Sequence, residues 1–271
     1  MTSLSPRPLV LMYHGVDHVP ADRDPYGMFV TPAAFRAQVE QLLESGFVPV
    51  SEDAYLAALA GGPALPRKAA LITFDDGYVG VGEHAVPVLA SFGLPSVLYV
   101  PAGLVGGASV WLEPRHRHLL MAGEDLVAVH RSGMAVAAHG FDHQDLTTLS
   151  AADLRRHTTE ARAELEALLG EEVRTFAFPY GTHDARVREA VRAAGYRAAF
   201  AVHDGAGDFA VPRVDVNATD SMLSFRLKLR RSYPALRRAL GRAPAVRRMA
   251  HDLLSRAPGD EHGESSLAGA R

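Results

Sequence analysis

The sequence Ala69-Ala-Leu-Ile-Thr-Phe-Asp-Asp-Gly-Tyr78 places two adjacent aspartates, Asp75 and Asp76, directly after a strand-like run. Because the run is almost entirely apolar, it is typical of a strand that is covered on both faces, as in a parallel sheet. Gly77 then allows a turn before the next helical segment. The stretch therefore predicts a buried strand whose carboxyl end carries two carboxylates.

Similar runs alternate with helical segments along the chain, which is the pattern of a parallel sheet with crossover helices. The predicted strands are Leu9–Tyr13, Phe47–Val50, Ala69–Phe74, Ser96–Val100, Met134–Ala138, Thr175–Phe178, Ala198–Val202 and Val211–Val216. The glycines predicted to end helices in the left-handed conformation are Gly46, Gly93, Gly133, Gly170 and Gly195. Seven or eight β/α units in about 215 residues favour an α/β barrel over an open sheet.

The composition limits the chemistry that the chain can perform. Its 271 residues, 48% hydrophobic and 22% charged, suffice for one barrel and a tail. The absence of cysteine excludes disulfides, thiolate metal ligands and a cysteine nucleophile. Any metal must therefore bind through histidine or carboxylate side chains.

The apolar run near the amino terminus, Leu9–Met12, is much shorter than the hydrophobic segment of a signal peptide, and no stretch of about 20 apolar residues follows. We therefore expect a cytoplasmic protein. Charge is distributed unevenly, because residues 1–224 carry a net charge of −10 and residues 225–271 carry +7. The basic end differs in character from the rest of the chain.

We predict three parts: a barrel domain over 1–220, a basic amphipathic helical extension over 221–257 and a disordered tail over 258–271. The extension either packs on the acidic barrel or contacts an anionic membrane at the inner surface, because its basic residues lie beside apolar ones. Its arginines have no accompanying aromatic platform, which argues against nucleic-acid binding.

The paired aspartates, Asp75 and Asp76, can be interpreted in two ways. Catalytic groups collect at the carboxyl ends of barrel strands, and adjacent carboxylates repel each other unless a cation or hydrogen bonds stabilise them. Asp-Asp-Gly is also good turn chemistry, so an ordinary turn with an aspartate helix cap is the alternative.

A histidine pair, His139-Gly-Phe-Asp-His143, comes directly after the predicted strand Met134–Ala138. Two imidazoles spaced in this way can reach one metal ion, although the same spacing also arises on polar faces. Together with Asp76, the pair makes an Asp-His-His set with room left for water, as in catalytic metal sites.

The segment Phe176-Ala-Phe-Pro-Tyr-Gly181 is a strand that ends in a rigid turn. The turn can present the backbone N–H of Tyr180 to a developing oxyanion, and the Tyr180 ring with Pro179 to a substrate. An ordinary exit from a strand into a loop is the alternative.

Taken in order, these segments resemble the polysaccharide deacetylase family, the NodB-homology domain of carbohydrate esterase family four, in its subgroup with a Phe-Ala-Phe-Pro-Tyr-Gly motif. The resemblance covers about residues 8–225 and rests on 73–78, 139–150, 176–181 and Pro212-Arg-Val214. It implies a distorted (β/α) barrel that removes acetyl groups from N-acetylated sugars, glycans or glycolipids with a divalent metal, commonly Zn²⁺. A three-ligand site of this kind also accepts Co²⁺, Ni²⁺ or Mn²⁺.

By position, the resemblance implies that Asp75 is the general base and that Asp76, His139 and His143 are the metal ligands. The two roles differ physically, because a ligand carboxylate stays anionic beside the cation whereas the base accepts a proton from metal-activated water. The Tyr180 backbone N–H would complete an oxyanion hole.

Two positions depart from the family pattern. Ala177 stands where many members have an arginine that pairs with the base, and Arg213 is the natural substitute. Gly140 stands where the first metal histidine is usually followed by serine or threonine, which removes a loop hydrogen bond but no ligand.

The general acid has two candidates. His14, at the end of the first predicted strand, resembles the acid of a subgroup whose barrel motifs are permuted, and it is our first choice. His203 is the alternative, because many members place a histidine late in the chain.

Outside the motifs, Trp111 is the single tryptophan, which either lines a substrate groove or packs internally. We expect Asp142 and Asp145 to order the metal loop, and the histidines without a motif to be surface or packing residues. Two other function classes stay open. One is hydrolysis of small cyclic amides or imides at the same metal site; the other is a non-catalytic glycan-binding module, which the filled base and ligand positions disfavour.

Overall fold

The structure, a computed structural model, describes residues 8–202, 205, 207–230 and 233. The chain divides into two compact units, Met1–Ala218 and Thr219–Arg271. Most of the predicted extension and all of the predicted disordered tail lie outside the described residues, so the three-part division of the chain stays a prediction.

The described strands are short and every pairing between them is parallel. They are β1 (Leu9–Tyr13), β2 (Gly15–Val16), β3 (Phe29–Val30), β4 (Val48–Pro49), β5 (Ala69–Phe74), β6 (Ser96–Val100), β7 (Met134–Ala138), β8 (Thr175–Ala177), β9 (Ala198–Ala201), β10 (Val211–Pro212) and β11 (Val214–Asp215).

The main sheet runs in the order β10-β9-β8-β7-β6-β5-β1-β11, and β4 pairs with β5 outside this path. Its two ends, β10 and β11, are separated along the chain by a single residue, Arg213. The sheet therefore almost closes on itself, which confirms the predicted distorted (β/α) barrel. The strands β2 and β3 form a separate pair that sequence reasoning did not predict.

Alternate side chains of the barrel strands fill the interior, as expected where strands are covered on both faces. One buried cluster unites residues from most of them: Val10, Leu71, Val97, Tyr99, Ala137, Ala177, Ala198, Phe200 and Val211. Small residues on β7, β8 and β9 leave space for the rings of Tyr99 and Phe200, whose centroids lie 5.7 Å apart. The interior is thus a packed core, and the site must lie at one end of the barrel.

The described α-helices are α1 (Pro32–Glu44), α2 (Glu52–Leu59), α3 (Val86–Ser91), α4 (Gly123–Arg131), α5 (Ala151–Arg155), α6 (Ala161–Leu169), α7 (Ala185–Ala193) and α8 (Met222–Lys228). The hydroxyls of Thr31 and Ser150 accept backbone hydrogen bonds at the starts of α1 and α5. All five glycines predicted to end helices have positive φ, between 64° and 101°. Among the described helices, none has the length and apolar character needed to cross a membrane.

Four predicted strands, including β1 and β5, have the predicted bounds, whereas the others are shorter. The largest difference is at 211–216, where the predicted strand is interrupted at Arg213. The interruption marks a change of pairing partner, because Val211–Pro212 pair with β9 and Val214–Asp215 pair with β1.

Candidate active site

The motif residues meet at the carboxyl end of the barrel. The register pairs Tyr13 of β1 with Phe74 of β5, so His14 and Asp75 follow adjacent strand ends. Likewise, His139 follows β7, which pairs with β6 and β8. Because parallel strands end at the same edge, segments far apart in sequence build one site.

Three buried side chains, Asp76, His139 and His143, form the predicted Asp-His-His set. Oδ1 of Asp76 lies 3.4 Å from Nε2 of His139 and 3.2 Å from Nε2 of His143. One ligand atom from each residue lies within 4.8 Å of the others. Tetrahedral ligands at about 2.1 Å from a metal lie about 3.4 Å apart, so these separations suit a single ion.

The hydrogen bonds around the set also fit a metal. Nδ1 of His139 lies 2.8 Å from the carbonyl oxygen of Ala177. Because a carbonyl oxygen only accepts, Nδ1 carries the hydrogen and donates this hydrogen bond. The lone pair of Nε2 then faces Asp76, as in metal-bound histidines oriented by a carbonyl. Oδ1 of Asp76 is buried and accepts no hydrogen bond from the described part of the chain, which is costly unless a cation is its partner.

The neighbouring carboxylate, Asp75, is held differently. The Arg213 guanidinium donates from Nη1 to Oδ1 at 2.7 Å and from Nη2 to Oδ2 at 2.6 Å, and both side chains are buried. Arg213 also donates from Nε to the Ala201 carbonyl at 3.2 Å and from Nη1 to Thr73 Oγ1 at 3.3 Å. The structure thus places Arg213 where the sequence analysis expected a substitute for the motif arginine.

The charges of the site determine the protonation of its carboxylates. Burial raises the pKa of Asp75, but the Arg213 guanidinium, together with His139 when its imidazole is protonated, lowers it more, so that its pKa lies below the usual value. For Asp76, burial is likewise opposed by His143 and His139 in their protonated forms, and the pKa lies well below the usual value. Both carboxylates are therefore ionised at neutral pH.

His14 belongs to the same cluster. It interacts electrostatically with Asp75, Asp76 and His143. Its Nδ1 is buried and makes no hydrogen bond with the residues that the structure describes. The alternative acid, His203, lies outside the described residues.

Backbone strain is concentrated at this site. Among the described residues, the non-glycine residues with positive φ are Asp76 at 74°, His143 at 61° and Tyr180 at 58°. Such conformations are unfavourable for side chains with a Cβ and persist where the surrounding structure holds them. All three belong to the candidate site, which points to a functional requirement for their positions.

The sequence motifs and the geometry agree with a comparison against protein families. A model described as polysaccharide deacetylase matches residues 62–199, about half of the chain. The chain belongs to the polysaccharide deacetylase family. The predicted family and enzyme class are thereby confirmed.

Individual relatives support the same family. The chain is 37% identical over 95 residues to the poly-beta-1,6-N-acetyl-D-glucosamine N-deacetylase of Escherichia coli strain K12, an alignment that covers 35% of this chain and 14% of that enzyme. It is 22% identical over 213 residues to YxkH of Bacillus subtilis, whose name carries a provisional assignment as a polysaccharide deacetylase, with 77% of this chain and 71% of that protein covered.

Solved structures show the same fold. IcaB from Ammonifex degensii superposes with a TM-score of 0.68 at 26% identity, covering 84% of this chain and 96% of that chain. The Streptococcus pyogenes deacetylase PplD superposes with a TM-score of 0.71 at 18% identity, covering 82% and 97%. At 18% identity, the second similarity concerns the fold alone.

In this deacetylase family member, aromatic side chains border Asp76, His139 and His143, the candidate metal set. Trp111 stacks on the His143 ring with centroids 4.1 Å apart, and the Tyr180 ring meets His143 edge-on at 4.6 Å. Tyr180 is 56% exposed, whereas Pro179 is buried beside Gly140. Trp111 and Tyr180 therefore form an aromatic border beside the set, and Pro179 supports the loop that carries the histidines.

The carboxylates expected to order the metal loop do contact it. Oδ1 of Asp145 accepts hydrogen bonds from the Thr147 backbone N–H at 3.0 Å and from the Thr182 hydroxyl at 2.9 Å, which links the His143 loop to the Tyr180 turn. Sequence reasoning missed a further contact, because His157, placed among the surface or packing histidines, is buried beside Gly140. The only sequence signal for this contact was Gly140, whose missing side chain leaves space beside the loop.

Proposed function

We propose that this protein is a metal-dependent N-deacetylase that removes acetyl groups from a glycan or glycoconjugate containing N-acetylhexosamine. The observation that carries the proposal is the division between the two adjacent carboxylates. Asp76 faces two imidazoles with an unpartnered oxygen, whereas Asp75 is held by Arg213. One carboxylate is thus arranged to hold a cation and the other to handle a proton.

Asp76, His139 and His143 would hold the ion. Nitrogen and carboxylate ligands in a three-residue set suit Zn²⁺, and the same donors accept Co²⁺, Ni²⁺ or Mn²⁺. When bound, a divalent ion supplies polarisation of the amide carbonyl and acidification of water. The low pKa of Asp75 makes it a weak base, so it requires acidified water as its proton donor.

The chain's own groups complete the hydrolysis. Asp75 takes one proton as the water oxygen bonds to the amide carbon, and the Tyr180 backbone N–H stabilises the oxyanion that develops. His14 then donates a proton to the amide nitrogen as the C–N bond breaks. The products are acetic acid, which ionises to acetate, and the free amine of the sugar, and transfer of the proton from Asp75 to His14 through solvent restores both groups.

The substrate class is supported by the surface beside the set. Trp111 and the exposed ring of Tyr180 offer faces on which a sugar ring can stack. The Escherichia coli relative is named for deacetylation of poly-beta-1,6-N-acetyl-D-glucosamine, although the alignment covers only 14% of that enzyme. We therefore place N-acetylglucosamine-containing glycans first among the candidates.

The proposal is tested by acetate release from N-acetylglucosamine oligomers and from nucleotide- or lipid-linked N-acetyl sugars, with metal-stripped and Zn²⁺-reconstituted protein. The proposal requires release that depends on the metal. Tight binding of one metal without release from any sugar would contradict it, and activity on cyclic amides or imides would then identify the alternative hydrolase.

The cytoplasmic location and the contact of the basic extension with an anionic membrane are further parts of the proposal. The basic composition of residues 225–271 supports the membrane contact. Co-sedimentation with vesicles containing phosphatidylserine should decrease when residues 231–271 are deleted. Equal sedimentation of both proteins would remove this part of the proposal.

A further inference from the structure

A buried histidine outside the metal set packs against the loop that carries two of its members. His157 lies in a helical turn over Arg156–Glu160 and is 1% exposed. It contacts residues 140–142 rather than the metal set itself. Its role is therefore to be sought in the shape of the loop.

Both ring nitrogens of His157 are directed at that loop. The backbone N–H of Phe141 donates to Nδ1 at 3.1 Å, so Nδ1 is the acceptor and Nε2 carries the proton. Nε2 lies 3.0 Å from Oδ1 of Asp142, an ion-pair distance without hydrogen-bond geometry, because that oxygen makes no hydrogen bond with the described residues. The second carboxylate oxygen of Asp142 accepts from the Gln144 side chain at 2.9 Å, so these contacts extend to the residue next to His143.

The imidazole occupies space that another residue at Gly140 would fill. A Cβ at position 140 would lie 3.1 Å from Nδ1 of His157, and Gly140 has a φ of 76°. Both the space and the backbone conformation therefore favour glycine here. The glycine at position 140 and the buried histidine therefore form one arrangement.

The opposite side of the loop is also fixed. The carbonyls of Gly140 and Phe141 accept hydrogen bonds from the backbone N–H groups of Ala102 and Gly103 at 3.1 and 2.8 Å. The loop is thus held between residues 102–103 and His157. Within it, His143 adopts a φ of 61°, a conformation that needs such support.

We infer that His157 is a positioning residue for the metal site, which holds the loop so that His139 and His143 both face Asp76. It does so through the hydrogen bond from the Phe141 N–H and the close packing beside Gly140. The inference rests on the metal set of the proposed function. It concerns metal affinity and geometry rather than the chemical step.

The test compares two substitutions at the same position. His157→Leu removes both loop contacts, whereas His157→Asn keeps an acceptor near the Nδ1 position. Thr158→Val is the matched control, because Thr158 is buried in the same turn and its hydroxyl donates to the carbonyls of Leu154 and Arg155 rather than to the loop, among the described residues. Zn²⁺ affinity is measured by competition with a chromophoric chelator, and site geometry by the visible spectrum of the Co²⁺ protein.

We expect His157→Leu to weaken Zn²⁺ binding about 10- to 100-fold, as for other groups that orient metal ligands, and to alter the Co²⁺ spectrum. His157→Asn should restore most of the affinity, and Thr158→Val should bind as the wild type does even where its thermal stability falls. Wild-type affinity in His157→Leu, or no recovery in His157→Asn, would overturn the inference.

Two further outcomes separate this inference from the proposed function. Should His157→Leu fail to fold, Asp142→Ala, at a more exposed residue of the same network, must weaken Zn²⁺ binding in the same direction, and unchanged affinity there would count against the inference. Metal binding that responds to His157 without any acetate release would contradict the proposed function alone.

Discussion

The guanidinium of Arg213 donates two hydrogen bonds, at 2.7 and 2.6 Å, to the carboxylate of Asp75, although 137 residues lie between them in the chain. Arg213 is also the residue that separates β10 from β11, where the barrel almost closes. The residue that holds the candidate base is therefore also the residue that joins the two end strands of the sheet.

This pairing predicts coupled effects on stability. Arg213→Met leaves the buried Asp75 carboxylate without its partner, so the free energy of unfolding should fall by about 3–5 kcal/mol. In the double variant Asp75→Asn/Arg213→Met, the loss should be smaller than the sum of the two single losses. Denaturant unfolding of the metal-free proteins at pH 7 measures the cycle, and additive losses would show that the pair is not energetically coupled.

The metal set predicts stabilisation by ligand. A divalent ion that binds only the folded protein should raise the free energy of unfolding by about 2.7 kcal/mol at a concentration 100-fold above its dissociation constant. His143→Ala should abolish this increase. His84→Ala, which changes a partly exposed histidine paired with Asp17, is the control and should keep it. An equal increase in the His143 variant would place the ion elsewhere.

The position of Trp111 predicts an optical signal for metal binding. It is the only tryptophan in the chain, and its ring stacks on the ligand candidate His143. Binding of Zn²⁺ at His143 should therefore change the intrinsic tryptophan fluorescence and saturate at one equivalent. His139→Ala should remove the change at the same metal concentration. Tight binding by equilibrium dialysis without a fluorescence change would contradict this placement.

A buried carboxyl group far from the metal set predicts a pH effect on stability. Burial raises the pKa of Glu52 above the ordinary value of 4.5, and its hydrogen bond from Thr175 and its ion pair with Arg174 do not cancel the rise. The folded protein thus binds this proton more tightly than the unfolded chain does. Stability from Glu52 is present below about pH 4.5 and is lost as the pH rises through its folded-state pKa.

The measurement compares wild type with Glu52→Gln by denaturant unfolding at pH 4.5 and pH 7.5. The wild type should lose free energy of unfolding relative to the variant between these two values. Asp53→Asn, at the exposed neighbour that also pairs with Arg174, serves as control and should show a smaller dependence. A difference that grows in favour of the wild type with rising pH would reverse the sign and refute the assignment.

Much of the fold follows from local sequence because the central strands are buried on both faces. Strands β1, β5, β6 and β7 have their predicted bounds, since their apolar runs end sharply at polar or turn residues. The break at Arg213 was not predictable in this way, because it lies where the chain changes its pairing partner from β9 to β1. The two-residue strands β2 and β3 are too short to produce a periodic pattern.

The candidate site, like the fold, could be predicted only where a local sequence pattern marks the residues. The proximity of Asp76, His139 and His143, and the position of Asp75 at a strand end, were predictable because each motif follows a recognisable strand. His157 was not, because its relation to Gly140 arises only when the helical turn packs on the loop. Stacking of Trp111 on His143 likewise depends on the path of a long loop that carries no sequence signal.

The central claim is that the two adjacent aspartates have separate roles, and substitution of each by asparagine tests it most directly. Acetate release and Zn²⁺ stoichiometry are measured together on wild type, Asp75→Asn and Asp76→Asn. The account predicts that Asp75→Asn still binds one equivalent of Zn²⁺ but loses acetate release, whereas Asp76→Asn binds Zn²⁺ much more weakly. Undiminished acetate release by Zn²⁺-loaded Asp75→Asn would contradict the account.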